Sequence, residues 1–136
     1  VAKFITPLIL KQLDRKRWQL EASLMYATDV IDRVLVVPTG FITDLASVPR
    51  LPLTFLLAGG KAPGPAVVHD WLYSTHEVDR KTADDIFYEA ILAAGHSKAT
   101  AWIMWLGVRA GGGFAWDKPN LPQPKHIELP VLPEAA

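Results

Sequence analysis

The apolar residues of this chain change period part-way along it, and that change limits the possible folds more than any other feature. Between Trp18 and Tyr26 the side chains alternate, with Trp18, Leu20, Ala22, Leu24 and Tyr26 on one side and Gln19, Glu21, Ser23 and Met25 on the other. A period of two is that of a half-buried strand. Arg33 to Val37 is short, rich in β-branched residues and closed by Pro38 and Gly40, so it reads as a second strand. Phe4 to Leu10 offers a further strand, which Pro7 restricts to an edge or a bulge. From Pro65 onward the spacing is helical. A first helix is expected from near Pro65, a residue suited to the first helical position, to about Ser74. A second is expected from an N-cap at Asp79 to Ala94, with Gly95 in the C′ position, and a third from Ser97 to the run Gly111-Gly112-Gly113. Strands precede helices, which predicts an α+β fold: a small antiparallel β-sheet in the N-terminal half, then a three-helix C-terminal half.

Two stretches have neither period. Phe41 to Arg50 places small polar residues between apolar anchors; Asp44 and Ser47 are turn formers there, and Pro49 pushes Val48 toward an extended conformation. Gly59, Gly60, Pro63, Gly64 and Pro65 then make a break. After Trp116 come Pro119, Pro122, Pro124, Pro130 and Pro133, giving an extended Pro-rich arm with polyproline character. The expected organisation is one domain over 1–116 and an arm over 117–136. The arm reads either as a loose tail or as a strap lying on neighbouring subunits of an oligomeric assembly.

Composition removes several function classes. With 136 residues, half of them hydrophobic, the chain can bury a core of its own. Fourteen Lys and Arg balance fourteen Asp and Glu, so there is no basic field for a nucleic-acid backbone and none for an anionic membrane. The absence of cysteine excludes disulfides, thiolate metal sites and a cysteine nucleophile. Val1-Ala2-Lys3-Phe4 does not read as a secretory leader, and the most apolar helical stretch, Ala99 to Ala110, is shorter than the ~20 residues of a membrane span. The chain is expected to remain where it is made.

The residues able to carry chemistry lie on the first two helices. His69 and Tyr73 are four apart and share a helix face, with Asp70 rotated by about 100°. Asp84 precedes Phe87 by three and Ile91 by seven, at the margin of an apolar stripe, whereas Asp85 lines up with Lys81 and Glu89 toward solvent. A carboxylate facing an imidazole fixes its tautomer and supports the imidazolium formed when the other nitrogen takes a proton. His69 and Asp84 are thus a candidate general base and its orienter. Asp70 is left to point at the loop of Thr43 to Pro49, where it and Asp44 are candidate ligands for a hard cation such as Ca²⁺, completed by backbone carbonyls.

His69-Asp70-Trp71-Leu72-Tyr73 followed by Ala83-Asp84-Asp85-Ile86-Phe87 resembles the HDxxY and ADxxF helix pair of phospholipase A2, particularly the cysteine-free version in the parvovirus capsid protein. The resemblance implies that His69 activates water, Asp84 partners it, Tyr73 supports it and Asp70 binds Ca²⁺. The glycine-rich calcium loop of that family has no counterpart; Asp44 to Pro49 stands in its place with different chemistry. A longer similarity runs from Val34 to Arg109. Phe41-x-Thr43-Asp44-x-Ala46-Ser47-Val48-Pro49-Arg50, then Ala66 to Tyr73, then Arg80-x-x-Ala83-Asp84-x-x-Phe87, is similar to a family of small tailed-phage and prophage proteins of unknown function. It implies a phage origin and a place in the virion, assembled in the host cytoplasm, with other virion proteins as partners.

Two readings of the whole remain. One is a virion-associated tail or tail-tip protein in which the His-Asp pair is a rigid brace. The other is a phospholipase A2-like, Ca²⁺-dependent ester hydrolase acting on membrane lipid during phage entry or release. His76, one turn beyond Tyr73, would need further ligands to form a zinc site with His69. Ser47 lacks the elbow motif of a serine nucleophile. Trp102, Ile103 and Leu106 recur at helical spacing and are expected in the core, while Trp116 is the aromatic expected to anchor a partner.

Overall fold

The computed structural model describes residues 1–44 and 63–125. Ser47, Pro49, the Gly59-Gly60 break, and the arm beyond Lys125 with Pro130 and Pro133 lie outside the described residues. Among the described residues, six strands are followed by three helices: β1 (Lys3–Phe4), β2 (Leu10–Gln12), β3 (Trp18–Leu20), β4 (Leu24–Thr28), β5 (Arg33–Val37), β6 (Ile42–Thr43), α1 (Gly64–Thr75), α2 (Arg80–Ala93) and α3 (Lys98–Asp117). The α+β order expected from the change of period is the order observed.

The expected single sheet is two three-stranded antiparallel sheets, ordered β1-β4-β5 and β2-β3-β6. The Trp18–Tyr26 strand is correspondingly two strands. Its inward positions keep their alternation, with Leu20, Leu24 and Tyr26 all buried. The hydrogen-bond partner changes in between: Leu20 takes the Phe41 carbonyl at 3.0 Å, whereas Met25 pairs with Val36. Side-chain alternation is a property of the chain, but ladder partnership depends on what lies alongside, so a bend at Glu21 divides one amphipathic stretch between two sheets. Pro7, which cannot donate to a ladder, likewise separates β1 from β2.

The helix ends follow local chemistry closely. Pro65 lies in the first turn of α1. The Asp79 side chain accepts from the Thr82 amide and caps α2, and the Ser97 side chain accepts from the Thr100 amide and caps α3. Gly95 ends the α2 turn at φ +96°, a left-handed conformation open to glycine at no steric cost. At the end of α1 the same conformation is taken by His76 at φ 54°. Its ring is held by a parallel stack on Trp116 at 3.7 Å and by donating Nε2–H to the Trp116 carbonyl at 3.1 Å.

Helix α3 departs from expectation. It passes through Gly111-Gly112-Gly113 and ends at Asp117. Glycine costs about 1 kcal/mol per position in a helix interior, and packing against α1 and α2 outweighs that cost here. Leu20, Tyr26, Leu35 and Val37 from the sheets meet Val67, Val68 and Leu72 of α1, Ile86, Phe87 and Ile91 of α2, and Met104 and Val108 of α3 in one core. Each such aliphatic or aromatic side chain contributes roughly 1.5–3 kcal/mol on burial. Trp102, Ile103 and Leu106, expected in that core, are instead 53, 51 and 47 % exposed. The helical repeat was right but the opposite face, carrying Ala101, Met104 and Val108, is the one that packs. Glu89, expected on the solvent side, accepts from the Tyr26 hydroxyl and the Thr28 hydroxyl at 2.7 Å each and from the Asp29 amide at 3.0 Å. It ties α2 to β4.

Candidate functional site

Antiparallel packing of α1 on α2 brings the HDxxY and ADxxF segments face to face. His69 lies between two rings, with centroids 4.1 Å from Tyr73 and 4.5 Å from Phe87, and is 2 % exposed. Its Nε2 is 2.8 Å from Oδ1 of Asp84, a side chain with no solvent exposure. The Tyr73 hydroxyl donates to the same oxygen at 2.5 Å. The other oxygen, Oδ2, takes Arg109 Nη1 at 2.9 Å, with Arg80 Nε at 4.0 Å. His69, Tyr73 and Asp84 are therefore together, as the sequence led one to expect.

The protonation states follow from these partners. Burial pushes the Asp84 carboxyl up, but the hydrogen bonds from His69, Tyr73 and Arg109 outweigh it and hold the group below its ordinary value, so it is ionised. Burial likewise drives the His69 imidazole below its ordinary value, against the pull of Asp84. Burial and the Asp84 carboxylate together raise the Tyr73 phenol, which stays protonated. An ionised carboxylate can only accept, so His69 Nε2 carries the proton and Nδ1 carries the lone pair. That is the tautomer a general base requires.

His69 also lines a small pocket of about 30 Å³, room for a water molecule or two, with Asp70, Tyr73 and Ser74 of α1, Ile42 and Asp44 beside β6, and Lys118 to Leu121 and Gln123 beyond α3. The described part of the arm is thus a wall of the pocket, laid on the chain's own body. Gln123 clamps β6 at both main-chain groups, accepting from the Ile42 amide and donating to the Ile42 carbonyl at 2.8 Å each. Asn120 donates to the Ser74 carbonyl at 3.0 Å. Trp116, expected to meet a partner, packs edge-on against Tyr73 at 5.1 Å.

Asp70 and Asp44 line this pocket and so are brought near His69. Asp70 Oδ2 accepts from the Thr43 hydroxyl at 2.6 Å, and Asp44 Oδ2 is 3.9 Å from Lys118 Nζ. Calcium takes six to eight oxygens; among the described residues no group of three or more His, Asp or Glu side chains converges on one point. A lysine ammonium already stands beside one of the two carboxylates. His76 is turned away from His69 onto Trp116, so the pairing weighed for zinc is not formed.

Three site residues escaped sequence reasoning. Arg109 stands in the sequence only as the end of the longer similarity, yet it neutralises Asp84. Arg80, besides approaching Asp84, donates from Nη2 to the carbonyls of Val108 and Arg109 at 2.8 Å each and from Nε to the Tyr73 hydroxyl at 3.3 Å. The i,i+4 spacing of Arg80 and Asp84 was the available signal. Gly112 is the third: a Cβ there would lie 2.5 Å from the Tyr73 hydroxyl and 3.2 Å from Arg80 Nη2.

No curated protein matches the chain, and no solved structure does. A family match covers residues 18–108, which takes in both sheets' central strands, His69, Asp84 and Arg80, and stops at the residue before Arg109. On that match the chain belongs to the family described as Protein of unknown function (DUF1353).

Proposed function

We propose that this protein is an ester hydrolase of the phospholipase A2 kind in its base, with His69 activating water. The observation that carries the proposal is the 2.8 Å contact of His69 Nε2 with the buried Asp84 carboxylate, which calls for the proton on Nε2, on a ring that also lines a pocket. In the proposed reaction Nδ1 takes a proton from water as the water oxygen bonds to the ester carbonyl carbon. The tetrahedral oxyanion then collapses, the carbon–alkoxy bond breaks, and the leaving oxygen takes the proton back from Nδ1. The products are a carboxylic acid and an alcohol. Asp84 supports the transient imidazolium throughout without itself being protonated. Lys118, on the pocket wall, is the cation available to the oxyanion.

The test is release of acid from phospholipid and from simple carboxylic esters by wild type and His69→Asn protein, each with added Ca²⁺ and with chelator. Expected is release by the wild type that falls at least a hundredfold in His69→Asn with the fold intact by circular dichroism. Equal background release in every sample would remove the hydrolase.

A second reading has its own support. Asp84 gathers a histidine, a tyrosine and two arginines from all three helices, as a brace would. With the resemblance of three sequence blocks to tailed-phage proteins, this favours a virion-associated tail or tail-tip role. Under it, His69→Asn lowers stability or particle assembly and the wild type hydrolyses nothing.

A further inference from the structure

The face of α3 opposite the core is apolar and open. Trp102, Ile103, Leu106 and Phe114 are 53, 51, 47 and 91 % exposed, and Ala110 is exposed among them. At about 100° per residue these five and Gly113 fall within a sector of about 120° running the length of the helix. Trp102 is a fixed part of it, because it stacks on Trp105 at 5.1 Å and the Trp105 indole donates to Asp85 at 2.9 Å. A rigid apolar face of this extent on a small protein marks an interaction surface.

We propose that this face pairs with the same face of a second copy, antiparallel, about a two-fold axis passing near Val108. Side-chain sizes match across such a pair. Reversing the helix about residue 108 sets Ile103 against Gly113 and Leu106 against Ala110, so that each large side chain meets a small one, and closes each end with Trp102 against Phe114. The same operation sets Asp117, which ends the face, against Ala99 and beside Lys98 of the other copy. Each Asp117 then stands beside a Lys98 of the other copy, while Lys98 itself faces Lys118.

The area suffices when the whole exposed face is covered. From the exposures above and the size of such side chains, each copy contributes on the order of 500 Å², and the pair about 1,000 Å², the lower bound of a specific interface. The pairing would also brace the helix that carries Arg109 and Gly112 from its outer side.

The experiment is the solution mass of the full chain across micromolar to submillimolar concentration, for wild type and for Leu106→Glu and Ala110→Glu, with circular dichroism to check each fold. Because both positions are exposed, the variants are expected to fold. The wild type is expected to sediment as a dimer of the 15.0 kDa chain and both variants as monomers, a twofold drop in mass. The chain lacks cysteine, so Leu106→Cys and Ala110→Cys proteins mixed in equal amounts report register directly: cross-linking of unlike partners is expected to predominate. A monomeric wild type, a dimer that survives both substitutions, or like-with-like cross-linking would each overturn the proposal. Binding of a monomer to phosphatidylglycerol–phosphatidylcholine vesicles, lost in Trp102→Ala, would assign the face to lipid instead.

Discussion

A methyl group added at Gly112 would lie 2.5 Å from the Tyr73 hydroxyl, closer than any unstrained contact allows. The hydroxyl cannot simply retreat, because it bonds Asp84 at 2.5 Å on a ring packed between His69 and Trp116. Gly112→Ala is therefore expected to destabilise the protein by about 1–3 kcal/mol despite alanine's better helix propensity. The cost should shrink markedly when Tyr73→Phe removes the oxygen. Urea unfolding of the two single variants and the double variant measures the coupling.

Asp84 should be the least replaceable side chain of the site. Asp84→Ala leaves Arg109, Arg80, Tyr73 and His69 around an empty space, and removal of one partner from such a buried cluster costs about 3–5 kcal/mol. Asp84→Asn keeps the shape and is expected to cost less, while still abolishing any function that depends on the His69 tautomer. Denaturant midpoints of the two variants, compared with wild type, check the order.

Stability should fall on acidification in two steps with different owners. His69 sits below its ordinary value of 6.5 when folded, so below about that pH the unfolded chain binds the extra proton and stability drops as pH falls. Asp84 is also depressed when folded; its contribution is present above its ordinary 3.8 and is lost as pH falls through its lower folded value. The unfolding free energy measured from pH 8 to pH 5 should decline in wild type and be flatter in His69→Gln. Equal slopes would remove His69 as the owner of the upper step.

The clamp of Gln123 on Ile42 should govern access to His69. Gln123→Ala loses two hydrogen bonds, each worth about 0.5–1.5 kcal/mol net, and frees one wall of the pocket. Labelling of His69 by diethylpyrocarbonate, followed by peptide mass spectrometry, is expected to accelerate severalfold in the variant, with circular dichroism unchanged. An unaltered rate would mean that the strap does not limit access.

Local signals alone revealed much of this protein. Asp79, Ser97 and Gly95 mark helix ends through bonds to residues three or four away, and those ends are where the residue types placed them. The pairing of His69 with Asp84 was legible too, since helical spacing put each on the inner margin of its own helix. The single strand at Trp18–Tyr26 and the core assignment of Trp102, Ile103 and Leu106 failed for a shared reason. Period reveals that a segment has two faces, but which ladder or which side accepts them is decided by neighbours far along the chain.

The chain by itself determined the α+β order, the helix caps and the residue types of the dyad, because these depend on interactions within a few residues. Tertiary structure alone decided that α3 continues through three glycines, that Arg109 reaches Asp84, and that Glu89 and the strap bond to the sheets. Those partners are separated by 25 to 81 residues where α3, the sheets or the strap is involved. No short-range pattern encodes such distances; they are set by the packing of the core that all these elements share.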